Sequence, residues 1–446
     1  MKKIICLSVY VLAALSVSGQ SWTLKECIAF AWKHNHQIRQ QTLSLDDNCS
    51  GYTRSMGAFL PAVNGSVGSQ SNFGRAVDPE TNGYTNVNTF YNTYTLQASL
   101  SIFEGLSRYH NLRAAKARIL MGKHGLQAIK DEVAQKLMRC FMDVLYYQGI
   151  VCMTVDKKKS SEMLLLQTKV MNEVGTKSDA DVAQMEATFA ADEYEVVMQE
   201  KLLRRAMMTL KEVMNYPLED SLILDTLFIH ELPTMDEWHT NGVKEVTSLA
   251  ETACLQNPSL RQTAYETQAL KYALRSARGS LFPSISVGAG ISSSYFKTMG
   301  RENTMSFREQ LKTNRGEYVF ATLSIPIFNR LEIITSIRKQ KNQLRMIEDK
   351  WQQKATELKR LVMETSDDYH SSLKENHKLK KKVTSDRLAL KLTMRKYEEG
   401  FASGIEVQTA AVALLQSRTA WLQSNLNARY SKYMLDYYKG VPVWTE

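Results

Sequence analysis

Thr93-Tyr94-Thr95-Leu96-Gln97-Ala98-Ser99-Leu100-Ser101-Ile102 alternates polar and apolar side chains without a fault. A period of two is that of a β-strand, whose successive side chains point to opposite faces. Tyr94, Leu96, Ala98, Leu100 and Ile102 define one face; Thr93, Thr95, Gln97, Ser99 and Ser101 define the other. The apolar half recurs 225 residues on, as Val319, Ala321, Leu323, Ile325 and Ile327. A soluble antiparallel sheet alternates in the same way, so the pattern alone leaves the environment open. Two features favour lipid. The runs have the roughly ten residues of a tilted membrane strand. Tyr84, Phe90, Tyr91, Tyr295, Phe296, Tyr318 and Phe328 cluster near strand ends, as an interfacial aromatic belt does.

The echo extends over the whole chain. Asn35, Arg39, Gln40, Gly57, Pro61 and Gly68 recur as Asn257, Arg261, Gln262, Gly279, Pro283 and Gly290, each 222 residues on. Phe103, Gly175 and Ser178 recur as Phe328, Gly400 and Ser403 at an offset of 225. Three residues are therefore inserted between Gly290 and Phe328, where the polar stretch Lys297 to Gly316 offers a loop. Each copy opens with a helix (Leu24 to Met56; Val246 to Ala277), which Leu60-Pro61 or Phe282-Pro283 ends because proline cannot continue it. Two strands follow, separated by a polar loop. Then Leu112, Ile119, Leu126 and Val133, echoed by Ile337, Leu344, Trp351 and Leu358, recur every seven residues. Such a series predicts coiled-coil packing. A helix from Leu106 to Val174 would run about 100 Å at 1.5 Å per residue.

The helices break at Val174-Gly175-Thr176-Lys177-Ser178 and Glu399-Gly400-Phe401-Ala402-Ser403. Glycine past the last turn and serine as the next N-cap are the stop and start chemistry of a helical hairpin. The predicted fold is mainly α with a membrane β-barrel, internally duplicated, with four strands and two long hairpins per chain. The domains expected are a signal peptide (1–19), a first repeat (20–240), a second repeat of the same layout (241–440) and a C-terminal tail (441–446). Four strands cannot close a barrel. Edges left open in lipid cost several kcal/mol per unpaired backbone group, so the barrel must be shared between subunits.

Lys2 and Lys3, the apolar run Ile4 to Leu15 and the small residues Val17-Ser18-Gly19 read as a signal peptide cleaved before Gln20. The run is too short to span a bilayer, and Cys6 stands at its start rather than where a lipid-anchored cysteine would. Cleavage lowers the formal charge from +10 to +8 and leaves Cys27, Cys49, Cys140, Cys152 and Cys254. An odd count without C-x-x-C argues against a disulfide framework or a zinc knuckle. Lys378 to Lys382, the one dense basic run, lacks the interleaved aromatics that nucleic-acid binding wants.

The opening Leu24-x-x-Cys27-Ile28-x-x-Ala31-x-x-x-Asn35 with its echo at Asn257, the Leu60-Pro61 and Phe282-Pro283 strand entries, and the two Gly-x-x-Ser tips together resemble the TolC family of outer-membrane efflux proteins. The likeness covers roughly Trp22 to Gly440 and rests on the paired set, since no single motif is specific. It implies a homotrimer whose strands form one barrel in outer-membrane lipid, above a periplasmic helical tunnel. That tunnel would dock on a membrane-fusion adaptor and an inner-membrane pump of RND or ABC type. It further implies adaptor contacts at Gly175, Thr176, Lys177 and Ser178 and at Gly400, Phe401, Ala402 and Ser403. Acidic rings at Asp181 and Glu406 would form a periplasmic gate favouring cations. Thr409, where a second acidic residue often sits, departs from the family pattern and weakens the expected field. An acidic residue in a helix's first turn also complements the macrodipole, which leaves the gate and the dipole as competing accounts.

No catalytic constellation is present, so an enzyme is not expected. His34 and His36 point to different sides of a helix. Gly288-Ala289-Gly290 lacks the third glycine of a nucleotide loop. In Gly400-Phe401-Ala402-Ser403-Gly404 the serine is one place too late for a nucleophile elbow. Twenty methionines read as gap-fillers of helical cores, and no cofactor is implied. The predicted function is an exit duct of a tripartite efflux or type I secretion system. The alternative is a soluble periplasmic coiled-coil adaptor, which would share the signal and hairpins but lack the duplicated strands.

Overall fold

The structure, a computed structural model, describes residues 21–77, 83–86, 88–225, 243–300, 305–442 and 444. The predicted signal peptide lies outside them. Helices α1 (Leu24–His34) and α2 (His36–Gly57) lead into strand β1 (Ala62–Asn72), a short pair β2 (Arg75–Val77) and β3 (Tyr84–Asn86), and strand β4 (Thr89–Glu104). Helices α3 (Ser107–Glu173) and α4 (Asp179–Met214) complete the first series. The order then recurs as α5 (Val243–Gln256), α6 (Pro258–Gly279), β5 (Ser284–Thr298), a short α7 (Phe307–Thr313), β6 (Gly316–Ser324), α8 (Glu332–Glu398) and α9 (Gly404–Tyr438). The duplication seen in the sequence is a duplication of elements.

The repeated asparagines have a local cause. Asn35 ends α1 and starts α2: its Oδ1 accepts from the N–H of Gln37, 2.8 Å away, and its Nδ2 donates to the carbonyl of Val213. Asn257 does the same at the α5–α6 junction, its Oδ1 accepting from Ser259 and Leu260. Each opening helix is thus two helices with an asparagine N-cap between them, not the single helix expected. The strand-to-long-helix turns also repeat. Gly105 and Leu106, then Arg330 and Leu331, all take left-handed backbone, which is costly for the non-glycine members.

The chain forms two compact units that cut across the sequence repeats. One comprises the chain up to Leu43, His124–Arg261 and Gln352 onward; the other comprises Ser44–Lys123 and Gln262–Trp351. The first holds the apolar core. Cys27, Ile28 and Ala31 of α1, Leu137, Phe141, Val144 and Leu145 of α3, Leu210 and Met214 of α4, Val362 of α8 and Leu426 of α9 are buried together. Of the two seven-residue series, Val133 and Leu358 are buried and Trp351 is exposed.

The second unit holds an antiparallel sheet in the order β1-β4-β5-β6, with β2 and β3 as a separate two-stranded ladder that the alternation did not foretell. Two predicted strand residues lie elsewhere. β6 ends at Ser324, so Ile325 and Ile327 fall beyond it. Pro326 explains this, having no N–H for a ladder and restricting the residue before it. Ile102 is skipped at a bulge between Ser101 and Phe103, where the register of β4 against β5 shifts. Within the loop that carries the three-residue insertion, α7 takes over where β6 has stopped. β6 pairs with β5 only as far as Ser292. Beyond it, Gln310 of α7 accepts from the Phe296 N–H at 2.9 Å and donates to the Phe296 carbonyl at 3.0 Å, and Asn314 donates to the carbonyl of Ser294. A short helix closes the open edge.

Candidate functional site

Cross-strand partners share a face, so the register sorts every strand residue. Val63 and Val67 of β1, Tyr94, Leu96, Ala98 and Leu100 of β4, Ile285, Val287, Ala289 and Ile291 of β5, and Val319, Ala321 and Leu323 of β6 make one apolar surface, bounded at one end by Ser293 opposite Tyr94 and Glu317 opposite Ile291. It is open: Val67 is 72% and Val319 85% exposed. From Tyr94 to Leu100 the band is about 20 Å long at roughly 3.3 Å per residue. A surface of this kind is too large to leave in water without an apolar cover. Among the described residues no helix is long and apolar enough to cross a membrane.

The reverse face carries Asn64 and Ser66, Thr93, Thr95, Gln97 and Ser99, Ser286, Gly288, Gly290 and Ser292, and Tyr318, Phe320 and Thr322. It bears hydroxyls, amides, glycines and the rings of Tyr318 and Phe320, with Tyr91 and Phe296, also expected in the belt, paired farther along the same face. Glu104, opposite Ser284 at the strand end and ion-paired with Arg108, is the one charged residue on it among the described residues. Tyr318 was expected in an aromatic belt beside lipid. It lies instead on this polar face, because it pairs with Gly290 and its hydroxyl donates to Oε1 of Gln97. The alternation begins one residue off the belt reading, which clustered aromatics by strand end and not by face.

The hairpin tips belong to the other unit. At the first, Gly175 has φ +77°, and Thr176 and Lys177 return their N–H groups to the carbonyl of Met171. At the second, Gly400 has φ +83°, and Phe401 donates to Lys396 at 2.7 Å. Glycine is suited to both left-handed positions. Ser178 caps α4 and Ser403 caps α9 in reciprocal boxes. Asp181 accepts from the Ser178 N–H at 3.0 Å while its own N–H donates to Ser178 Oγ. Glu406 and Ser403 repeat the arrangement. Those donors hold the Asp181 carboxyl below the usual carboxylate range.

The sequence-predicted tip residues differ in exposure. Phe401 is 80% exposed, whereas Ala402 turns inward beside Leu164, Met185, Tyr397 and Val407. Sequence reading passed over Tyr397, whose buried hydroxyl lies 2.7 Å from that of Thr168 and whose ring sits 4.4 Å beneath the Lys177 ammonium. Its counterpart at the first tip is Asn172, which donates to the Lys177 carbonyl; the change of residue hid the shared tip-locking role. Among the described residues no group of His, Cys, Asp and Glu is placed to hold a metal ion.

Ser178→Ala and Ser403→Ala should each cost about 1 kcal/mol of local stability, read as faster amide exchange in the first turns of α4 and α9. The Asp181 share of that stability is present above the ordinary carboxylate pKa. It is lost as pH falls toward the depressed folded value, because the folded state binds its proton less readily. Ser178→Ala should therefore also flatten the acid dependence of exchange at that tip.

Residues 249–435 match the family model described as outer membrane efflux protein. No curated protein sequence matches the chain. Among solved structures, the outer membrane protein VceC of Vibrio cholerae is similar over 94% of this chain and 96% of its own, at 11% identity and a TM-score of 0.77. The CmeC outer membrane channel of Campylobacter jejuni is similar over 95% and 87%, at 14% identity and a TM-score of 0.76. CusC, described as forming a transmembrane channel, is similar over 94% and 92%, at 14% identity and a TM-score of 0.77. The fold of this chain is the fold of those proteins, which are described as channels and membrane proteins.

Proposed function

We infer that this chain, matched through its second half to the outer membrane efflux proteins, is an outer-membrane exit duct of a tripartite efflux or type I secretion system. One observation carries the reading: a four-stranded sheet with an apolar face has unpaired edges at β1 and β6. In lipid each unpaired N–H or C=O costs several kcal/mol. Edge-to-edge union of three copies would supply twelve strands, an even number within the range of membrane barrels. The polar face would then line the lumen. The layout also fits two repeats, 20–240 and 241–440, each contributing two strands and one long hairpin. A soluble adaptor accounts for the hairpins but leaves the apolar sheet without a solvent. Purified protein should need detergent and run as a trimer; a monodisperse water-soluble monomer would overturn the assignment.

Under the same reading the tips around Gly175 to Ser178 and Gly400 to Ser403 dock on a periplasmic adaptor joined to an inner-membrane pump. Phe401, the one large apolar side chain among them and 80% exposed, would be the main apolar contact and Ala402 would seat the turn. Asp181 and Glu406 would ring the narrow end in three copies each, giving a field that favours cations. Their bonds to Ser178 and Ser403 satisfy the dipole account too, so conductance has to separate the two. A Glu406→Gln, Asp181→Asn double variant should lose cation preference and block by trivalent cations in planar bilayers. Unchanged selectivity would leave only the capping role.

A further inference from the structure

We propose that Gly288 and Gly290 are positioning residues for the bore of the duct, acting by letting Phe320 and Tyr318 lie flat against the sheet. The inference rests on the polar face being the lumen. Gly290 faces Tyr318 and Gly288 faces Phe320 in the β5–β6 register. Both glycines occupy ordinary strand backbone, so no left-handed conformation requires them. The space above them does. A Cβ on Gly290 would lie 2.5 Å from Cζ and from the hydroxyl oxygen of Tyr318, and one on Gly288 would lie 2.4 Å from Cζ of Phe320. Carbon atoms in contact sit about 3.5–4.0 Å apart, so each ring occupies the volume a side chain would fill.

The direction of the rings follows from their reach. Tyr318 starts on β6, crosses Gly290 on β5, and brings its hydroxyl to 3.3 Å from Gln97 Oε1 on β4. A side chain that leaves β6, crosses β5 at a strand spacing of about 4.8 Å and is met by the Gln97 side chain from β4 must run along the sheet and not stand away from it. Phe320 follows at a centroid separation of 6.2 Å and an interplanar angle of 27°, so the two rings form one near-parallel pavement. Bulk that would otherwise project into the lumen is folded down onto it. The one charge on the rest of this face is Glu104, held by Arg108 at the strand end, so the barrel would admit solutes mainly by size.

Gly290 gives the cleaner test, because the nearest atoms to its added Cβ all belong to the Tyr318 side chain, whereas at Gly288 the carbonyl oxygen of Ala98 also intrudes at 2.7 Å. Gly290→Ala should lift three copies of the Tyr318 ring into the lumen, lowering single-channel conductance and the size of neutral polymer admitted. Gly290→Ala with Tyr318→Ala should restore both. Tyr318→Ala alone, which needs no extra space, should change conductance little. Unchanged conductance in Gly290→Ala, a loss that the double variant fails to restore, or a large rise in Tyr318→Ala would each overturn the proposal while leaving a conducting wild-type duct. Should Gly290→Ala not assemble, the Tyr318→Ala measurement still decides. A wild-type protein that forms no channel would remove the duct and this bore together.

Discussion

Asp192→Ala should destabilise the α3–α4 hairpin by about 3–5 kcal/mol, the usual cost of stranding one member of a buried ion pair. Asp192 is 4% exposed and accepts from the Lys157 ammonium, itself 14% exposed, at 2.7 Å. The pair ties α3 to α4. Truncating Asp192 would leave a largely buried ammonium without its counter-charge. Lys157→Met with Asp192→Leu removes both charges and should come out near neutral or slightly stabilising. Native-state hydrogen exchange along α3 and α4 would measure both. A loss under 1 kcal/mol in Asp192→Ala would mean that the pair is effectively solvated. The other cross-hairpin pairs, Lys158–Glu193 and Lys169–Glu186, are much more exposed and should contribute little, being screened by solvent. At the positions of the second hairpin equivalent to 157 and 192 stand Lys382 and Ser417. Lys382 bonds to Asp386 within its own helix instead, so the large effect should be confined to the first hairpin.

Leu100→Arg should cost about 2–4 kcal/mol, the range for a cation at the midplane on the lipid face of a membrane barrel. Leu100 pairs with Val287 inside the apolar surface. Ser99, next to it, pairs with Ala62 and Gly288 on the polar face, so Ser99→Arg places its guanidinium in water and should be tolerated. The yield of assembled, heat-modifiable trimer in the outer membrane compares the two. Equal yields would contradict the assignment of faces. Ile325→Arg, although its site is equivalent to Leu100 by sequence, should be milder than Leu100→Arg, because β6 has already ended.

That last case shows what the sequence made legible and what it hid. Alternation from Tyr94 to Leu100 places four residues correctly, since period two is a direct consequence of the pleat. It misleads at Ile102 and Ile325, where a bulge and a proline interrupt a ladder that the apolar pattern continues past. The helix stops and starts at the hairpin tips were readable, because Gly175, Ser178, Gly400 and Ser403 act through bonds to residues within five positions, whereas Tyr397, which meets Thr168 across the fold, was not. Tyr318 was legible but grouped wrongly: its neighbour Val319 stands on the apolar face, so period two puts Tyr318 on the other, which grouping aromatics by strand end ignored. Lys157 and Asp192 were not legible, being thirty-five residues apart with a pairing that exists only once α3 and α4 lie side by side. Helix α7 was masked by its setting in a polar insertion.

The way the two compact units cut across the repeats has a consequence for how the molecule is made. A ribosome delivering the chain from the N-terminus produces β1 and β4 long before β5, so one whole flank of β4 must wait with its backbone unpaired. The helical unit waits longer still, for α9 supplies Leu422 and Leu426 to a core that α1 began. A chain cut after the first repeat would hold fragments of both units and complete neither. Long-range pairing of this kind is slow, and an unfinished strand edge invites wrong partners until the last helix has arrived.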